Sequence, residues 1–149
     1  MRPMRRQRGF TMVELMVVIA IIAIASGLAS FALRDPSANR LDQEAARLAA
    51  LLESARAEAR ASAIPVRWEP VLAEDGGPGR GFRFLGLPPS ERLPDHWLHE
   101  GVSAEIVGAR AVVLGPEPLI PAQRIVLHLG DRRIALATDG LGPFEISAE

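Results

Sequence analysis

Cysteine and lysine are both absent from the 149-residue chain, and acidic residues are absent from its first nine positions. Without cysteine, the protein can form neither a disulfide nor a thiolate metal site. All 17 basic residues are arginine, and four of them precede Gly9. Removal of residues 1–9 would leave 13 arginines against 18 acidic residues, a formal charge of −5. That charge disfavours binding to a nucleic-acid phosphate backbone, which depends on Lys and Arg.

A long apolar run follows the basic start. Residues 10–33 (FTMVELMVVIAIIAIASGLASFAL) contain a single charged residue, Glu14. As an α-helix, such a run extends roughly 36 Å, enough to cross a hydrocarbon core about 30 Å thick. Because arginines crowd the N-terminal side of the run, the positive-inside rule places residues 1–9 in the cytoplasm. The sequence therefore predicts one membrane-spanning helix, with the rest of the chain on the far side.

An ionisable side chain within a membrane span needs a partner, and two explanations for Glu14 are open. Thr11 and Glu14 match the S/T-x-x-E capping box, which satisfies backbone N–H groups at the start of a helix. Alternatively, cleavage between Gly9 and Phe10 would create an α-amino group four positions before Glu14. The ammonium and the carboxylate would offset each other's desolvation, within one chain or between neighbours. Such a pair would set the axial register of one subunit on the next.

The segment at residues 5–15 (RRQRGFTMVEL) resembles the leader and cleavage site of type IV pilins and type II secretion pseudopilins. It has Gly9 before the cut, Phe10 after it, Thr11 next, and Glu14 as the fifth mature residue, followed by a long apolar helix. The leader charges are Arg5, Arg6 and Arg8.

This resemblance implies that a prepilin peptidase cuts after Gly9 and methylates the new amine of Phe10. It also implies that Thr11 and Glu14 set the assembly register of a filament subunit. The implied partners are other pseudopilins, major and minor, which contact the chain through the N-terminal helix. The prepilin peptidase and an inner-membrane assembly platform complete the set of partners.

An ordinary secretory signal peptide is the main alternative. It shares the basic start and the apolar stretch, and Ser30-Phe31-Ala32 provides an A-x-A-like site. Against it, the apolar run exceeds the usual length of about 7–15 residues, and Glu14 interrupts it. An uncleaved membrane anchor would account for the length of the run, but not for Gly9-Phe10 combined with Glu14. The three alternatives differ in the mature N-terminus, which would be Phe10, residue 33 or Met1.

A second helix is predicted over residues 34–64. Asp35 and Pro36 are typical of an N-cap followed by proline at the first helical position. The alternative is one long helix that bends at Pro36. Apolar residues then recur every three or four positions: Leu41, Ala45, Leu48, Leu52, Ala55 and Ala59. This spacing indicates an amphipathic helix with a core-facing stripe, which ends at Ile64-Pro65. We expect the charged residues mostly on the solvated faces: Arg47, Glu53, Arg56, Glu58 and Arg60. An i,i+3 ion pair is expected between Glu53 and Arg56.

From Val66 the pattern changes to short strands separated by Gly and Pro. The clearest signal is the alternation of Leu and Ile on both sides of Gly130-Asp131, which predicts a type II′ hairpin. Its apolar positions are Ile125, Leu127, Leu129, Ile134 and Leu136. Other strands are expected at residues 66–69, 81–85, 102–107, 111–114 and 144–147. Loops are expected at residues 74–81 and 87–94, the second passing between two sheets, and a turn at residues 139–142.

The C-terminal half carries a weaker resemblance, closest over residues 124–146, to the minor pseudopilin H group of type II secretion (general secretion pathway protein H, FimT-like). The resemblance implies an α+β, pilin-like fold. A long N-terminal helix, transmembrane in its first half and amphipathic in its second, would pack against a small antiparallel β-sandwich. It also implies a minor subunit near the tip of a secretion pseudopilus, which supports export of folded proteins across the outer membrane.

The expected organisation is therefore a cleaved leader at residues 1–9, a transmembrane and filament-core helix at 10–33, an amphipathic periplasmic helix at 34–64 and a β domain at 65–149. The protein would be a single-pass protein of the bacterial inner membrane. Its N-terminus would be cytoplasmic and its C-terminal domain periplasmic, and it would join the periplasmic pseudopilus after assembly.

No residues at catalytic spacing indicate an enzyme, and neither a cofactor nor a metal is expected. The histidines are His96, His99 and His128. The cluster at residues 95–100 (DHWLHE) lacks the distant third ligand of a catalytic zinc site, and we expect Trp97 and Leu98 to pack inward there. His128 alternates opposite Leu127, which predicts a solvent-facing or second-sheet position. The glycines at residues 76–81 lack the GK[ST] end of a P-loop.

A second functional class stays open: a minor pilin of a DNA-uptake or adhesive type IV pilus. DNA binding would favour an exposed basic strip interleaved with aromatic residues. Arg132-Arg133 is the only adjacent basic pair after the leader, and the chain is acidic beyond Gly9. We therefore expect no nucleic-acid partner, and secretion is the preferred hypothesis.

Overall fold

A computed structural model describes residues 11–32, 36–72 and 78–147 of the chain. Two helices come first, α1 (Met12–Ala32) and α2 (Pro36–Ser62). The chain divides into two compact units, residues 1–35 and residues 36–149. The positions predicted for cleavage, Gly9 and Phe10, lie outside the described residues, as do the leader arginines and the predicted N-cap Asp35.

Helix α1 is apolar on all sides, and each side chain at residues 11–27 is exposed. Isoleucine and valine dominate the helix, although both are weaker helix formers than leucine in water. Across residues 11–32, 36–72 and 78–147, none of the helices combines the length and the apolar character needed to span a membrane.

Helix α2 begins with Pro36, and its apolar stripe is buried. Proline suits the first helical position because the N–H that it lacks would have no intrahelical partner there. The helix ends at Ser62, and Ala63 adopts a left-handed φ of 55°. The buried stripe is the one that the spacing predicts: Leu41, Ala45, Leu48, Leu52, Ala55 and Ala59.

Seven strands follow α2: β1 (Arg67–Leu72), β2 (Pro78–Leu85), β3 (Val102–Ile106), β4 (Val112–Val113), β5 (Gln123–Leu129), β6 (Arg132–Thr138) and β7 (Glu145–Ser147). They form a three-stranded sheet of order β2-β1-β4 and a four-stranded sheet of order β3-β5-β6-β7. Each neighbouring pair is antiparallel. The segment at residues 86–101 joins the two sheets, so the loop predicted at 87–94 is confirmed as a connection between sheets.

Both sheets and α2 share one hydrophobic core. Trp68 and Phe82 from the first sheet, Ile125 and Leu136 from the second, and Leu52 from α2 are all buried in it. Helix α2 packs on the four-stranded sheet, mainly on β6. The predicted α+β arrangement of helix and antiparallel sheets is confirmed.

The hairpin between β5 and β6 is also confirmed. Leu129 pairs with Arg132, which leaves Gly130 and Asp131 as a two-residue loop. Gly130 has a φ of 58° and Asp131 has no positive φ, the combination that a type II′ turn requires. Side chains therefore alternate between the two faces of the sheet as predicted, with Leu127 buried and His128 partly exposed.

The loop predicted at residues 74–81 is wrong at its C-terminal end. Residues 78–81 belong to strand β2, and residues 74–77 lie outside the described ranges. Glycine and proline give this segment a low strand propensity. Pairing with β1 determines its conformation instead, with Leu72 opposite Pro78 and Pro70 opposite Phe82.

The expectation that the charged residues of α2 mostly face solvent is wrong for Arg56, which is 1% exposed. At 3.6 residues per turn, Arg56 lies roughly 60° from the centre of the apolar stripe, on its border. Glu44 lies on the opposite border of the stripe and is also fully buried. Two polar side chains, one on each side of the stripe, are thus inside the molecule.

Candidate functional site

The largest exposed apolar surface of the described chain is on α1. Its exposed large apolar side chains are Met12, Val13, Leu15, Met16, Val17, Val18, Ile19, Ile21, Ile22 and Ile24. A helix that is apolar on all sides is stable when lipid or other helices cover it. Removal of one such side chain from water contributes about 1.5–3 kcal/mol, so the full set strongly favours cover by lipid or by other helices over exposure to water.

The first turn of α1 holds the two residues that were predicted to set assembly register. The backbone N–H of Glu14 donates a hydrogen bond to Thr11 Oγ1 at 3.2 Å. This bond is one of the two in a capping box. The Glu14 carboxylate itself is exposed, at the N-terminal end of the apolar surface. The geometry therefore offers an acidic group to a cationic partner at this end of the helix.

In the second unit, α2 binds the loop at residues 95–99 through a buried carboxylate. Glu44 Oε1 accepts hydrogen bonds from the backbone N–H of His99 at 2.8 Å and from His99 Nδ1 at 3.1 Å. Arg47 donates to the carbonyl oxygen of His96 at 2.9 Å, and its guanidinium lies 3.7 Å from Glu44 Oε2. These bonds anchor the loop to one border of the α2 stripe.

On the opposite border, α2 binds the turn at residues 138–144 through a buried guanidinium. Arg56 donates to the carbonyl oxygens of Gly140 and Gly142, each at 2.7 Å. The predicted ion pair of Arg56 with Glu53 is present at 3.8 Å. Glu53 Oε1 also accepts a hydrogen bond from the backbone N–H of Phe144 at 3.1 Å.

The two sets of bonds between α2 and the loops share one sequence motif, Glu-x-x-Arg, which occurs at residues 44–47 and again at residues 53–56. Nine residues correspond to two and a half helical turns, so the two pairs face opposite sides of α2. The i,i+3 spacing alone does not show which member of each pair is buried. In the first pair it is the glutamate, and in the second it is the arginine.

The turn at residues 138–142 is further ordered by its own side chains. Asp139 Oδ1 accepts hydrogen bonds from the backbone N–H groups of Leu141 and Gly142 at 2.9 and 2.8 Å. These bonds lower the pKa of Asp139 below its ordinary value of 3.8, and the bond from Gly142 contributes most. Thr138 Oγ1 donates to the Gly142 carbonyl at 2.8 Å and accepts from the Gly140 N–H at 3.0 Å.

The three histidines make separate contacts. His96 lies 3.2 Å from Asp95, His99 contacts Glu44, and His128 lies 3.9 Å from Glu105. Within residues 11–32, 36–72 and 78–147, no three His, Asp or Glu side chains form a group that could hold a metal ion.

The prediction that Trp97 and Leu98 both pack inward is half right. Trp97 is buried, with its ring centroid 4.7 Å from that of Phe82. Leu98 is 57% exposed, because successive residues of the anchored loop point to opposite sides and Trp97 takes the inward position.

Comparison with known proteins bears first on the N-terminal segment. Residues 4–30 match the family described as the prokaryotic N-terminal methylation motif. Over 50 residues the chain is 52% identical to Type II secretion system protein H of Pseudomonas aeruginosa. The matched segment covers 33% of this chain and 29% of that protein, so the chain aligns with less than a third of the relative's length.

A solved structure resembles the fold over most of the chain. The crystal structure of the type IV minor pilin FimU of Pseudomonas aeruginosa superposes with a TM-score of 0.55. The superposition covers 74% of this chain and 90% of that chain, at 15% sequence identity. The protein therefore has a pilin-like α+β fold and carries an N-terminal methylation motif.

Proposed function

We propose that the protein is a minor pseudopilin, a structural subunit near the tip of a type II secretion pseudopilus that supports export of folded proteins across the outer membrane. The observation that carries the proposal is the exposed apolar surface of α1, which has Glu14 near its N-terminal end and lies largely within a methylation motif. The local match to Type II secretion system protein H supports secretion as the process.

Processing would occur at Gly9. A prepilin peptidase would cut between Gly9 and Phe10 and methylate the new amine, and the cut would remove Arg5, Arg6 and Arg8 with the rest of the leader. The Phe10 ammonium would then lie four residues before the exposed carboxylate of Glu14. Their attraction strengthens as water is excluded, so it would favour one axial register between subunits. Thr11 would hold the first turn in place.

Before assembly, residues 10–33 would span the bacterial inner membrane once, with the N-terminus cytoplasmic and the second unit periplasmic. Lipid tails are as apolar as the side chains of α1, so close packing between helices must drive the exchange of lipid for neighbouring subunits. The partners would be major and minor pseudopilins, the peptidase and the inner-membrane assembly platform. The role is mechanical, without catalysis, cofactor or nucleic acid.

A minor pilin of a type IV pilus is the second candidate, and the likeness to FimU over 74% of the chain favours it. A pilus for DNA uptake would bind DNA, whereas a secretion pseudopilus would not. A filter-binding assay with residues 36–149 at low salt separates a DNA-uptake pilus from the secretion pseudopilus, whereas an adhesive pilus need not bind DNA. Tight, salt-sensitive binding would favour the pilus, because release of counterions makes phosphate contacts salt-dependent.

Processing and assembly can be tested separately in cells that contain the complete secretion system. Gly9→Glu should leave the precursor uncut, because a long charged side chain replaces the small residue at the cleavage site. Glu14→Gln keeps the size of the side chain and removes its charge, so this variant should be cut normally and enter filaments poorly. Glu91→Gln, which neutralises an exposed loop carboxylate, is the matched control. Normal incorporation of Glu14→Gln would remove Glu14 from the mechanism.

A further inference from the structure

Each edge of the three-stranded sheet is covered by another part of the chain. Strand β1 lies in the middle of this sheet, so β2 and β4 form its edges. An edge strand normally presents main-chain N–H and C=O groups without partners, and these groups can pair with a strand of another molecule. The groups that cover the two edges of this sheet therefore determine whether another chain can extend it.

The main-chain groups of Val113 point to the outer side of β4. In an antiparallel pair of strands, facing residues alternate between pairs that exchange hydrogen bonds and pairs that do not. The N–H of Leu114 donates to the carbonyl oxygen of Val66 at 2.9 Å, and the next pair in the register is Val113 with Arg67. Val113 and Arg67 therefore exchange no hydrogen bonds, and the N–H and C=O of Val113 face away from β1.

The side chain of Gln123 binds both of these groups. Its Oε1 accepts a hydrogen bond from the N–H of Val113 at 2.7 Å, and its Nε2 donates to the carbonyl oxygen of Val113 at 2.8 Å. A primary amide offers an acceptor and a donor side by side, as the backbone of a neighbouring strand would. Gln123 is the first residue of β5, so the contact also joins the two sheets. A strand from another molecule could pair with Val113 only after both bonds had broken.

At the other edge, the backbone of the loop at residues 95–99 lies along β2. The N–H of Phe82 donates to the carbonyl oxygen of Asp95 at 2.9 Å, and Gly81 forms an isolated antiparallel bridge with His96. A Cβ at Gly81 would collide with the carbonyl oxygen of Asp95, so glycine permits this close approach. Because β1 is on the opposite side of β2, the loop occupies the middle of the outer edge.

Helix α2 holds this loop in place through the contacts already described. Arg47 donates to the carbonyl oxygen of His96, the residue that bridges to β2. Glu44 accepts the N–H of His99, three residues further along the loop. The polar contacts on this border of α2 therefore act on the same segment that covers the edge of β2.

We propose that Gln123 and the loop at residues 95–99 close the two edges of the three-stranded sheet, and so prevent a strand of a second copy of this chain from pairing there. Gln123 closes β4 with a side chain, and the loop closes β2 with its backbone. Glu44 and Arg47 thereby have a role beyond stability, because they hold the loop over the edge. The inference goes beyond the proposed function and does not depend on entry into a filament.

Amide hydrogen exchange, measured by NMR, tests the closure of β4. The sample is residues 36–149, a compact unit that contains its own core. Gln123→Ala should speed exchange of the Val113 N–H about tenfold, because that N–H loses its acceptor. The N–H of Leu114, which is bonded to β1, should stay protected and shows that the variant is folded. Gln43→Ala, at an exposed glutamine of α2, is the matched control and should change neither rate. A wild-type Val113 N–H that exchanges as fast as an exposed amide would overturn the proposal.

The same measurement tests the closure of β2. Arg47→Ala removes the bond to His96 and should speed exchange of the Phe82 N–H at least about threefold. The alternation that turns the N–H of Phe82 away from β1 turns that of Arg83 towards it, so the Arg83 N–H should stay protected. Arg60→Ala, at an exposed arginine of the same helix, is the matched control. Unchanged exchange at Phe82 in Arg47→Ala would contradict the role given to the loop contacts.

Sedimentation velocity on residues 36–149 then tests what the closed edges prevent. The double variant Arg47→Ala, Gln123→Ala should self-associate at least about tenfold more tightly than the wild type, because both edges can accept a strand. The control pair Gln43→Ala, Arg60→Ala should behave as the wild type does. A folded double variant whose Val113 N–H exchanges fast, but which associates no more tightly than the wild type, would overturn the proposal. If the double variant does not fold, Gln123→Ala alone decides the outcome by the same comparison.

Discussion

Replacement of Arg56 by alanine tests how much the hydrogen bonds between α2 and the turn at residues 138–144 stabilise the second unit. Arg56 is 1% exposed and connects α2 to a turn more than 80 residues later in the chain. The variant removes both hydrogen bonds to the carbonyl oxygens of Gly140 and Gly142. It also leaves a cavity where the side chain was.

The expected loss of stability follows from these contacts. A hydrogen bond from a charged donor contributes about 1.5–3 kcal/mol, so two bonds contribute at least ~3 kcal/mol. Each carbonyl keeps a second donor, because Thr138 also binds Gly142 and Ile120 also binds Gly140. The loss should therefore lie near the lower end of the range, at about 3 kcal/mol. A unit of this size has about 6–17 kcal/mol of stability, so the variant should still fold.

Urea unfolding of residues 36–149, followed by tryptophan fluorescence, measures this loss. All the core residues found in this unit lie between Leu41 and Phe144, so it contains its own core. Trp68 and Trp97 are both buried, and their emission should shift to longer wavelength on unfolding. The midpoint should fall with little change in the m-value, because the surface that unfolding exposes is almost the same.

Two control variants complete the series. Arg60→Ala, on an exposed face of the same helix, should change stability by less than about 0.5 kcal/mol. Arg56→Lys keeps the charge but cannot bind two carbonyls in a fork, so its loss should be intermediate. A loss below about 1 kcal/mol for Arg56→Ala would refute the assignment of Arg56 as the anchor of the turn.

Three further predictions concern the same unit. Glu44→Ala should cost about 1–3 kcal/mol in urea unfolding, because both donors of His99 lose their buried acceptor, and Glu44→Gln should cost less. Because the pKa of Asp139 is lowered on folding, its contribution to stability is present above pH 3.8 and is lost as the pH falls through the folded pKa. Asp139→Asn should therefore reduce the slope of unfolding free energy against pH below about 3.8; an unchanged slope would contradict this. Gly140→Ala should cost more than about 2 kcal/mol, measured by urea unfolding, because it adds a backbone collision to the strain of a positive φ. Gly130→Ala, whose Cβ would meet no atom within 4 Å, should cost less.

The spacing of apolar residues was sufficient to predict the helix and the strands that bury only one side. The spacing from Leu41 to Ala59 predicted the buried stripe of α2, and the alternation around Gly130 predicted the β5–β6 hairpin. In both cases the local pattern and the tertiary contacts agree. The resemblance of residues 124–146 to the pseudopilin H group added the arrangement of helix and sheets, which periodicity alone does not give.

The burial of Arg56 could not be predicted in the same way. A charged residue on the border of an apolar stripe can face either solvent or the core, and its position on the helix does not distinguish the two. The outcome depends on carbonyl groups that the fold brings from residues 140 and 142. The repeated Glu-x-x-Arg was the available signal, and it shows which residues pair without showing which of them is buried.

Strand β2 shows a similar limit. Its first four residues, 78–81, have the composition of a loop, and pairing with β1 makes them a strand.

Leu98 was misplaced because residue type alone does not determine which of two neighbouring apolar residues faces inward.

The mass of the mature N-terminus, measured on protein purified from its native host, tests the account most directly. The account predicts a chain that begins with N-methylated Phe10 and lacks the nine leader residues. A chain that begins at residue 33 would indicate a secretory signal peptide. An intact Met1 would contradict the proposed processing, and with it the release of α1 from the membrane into a filament.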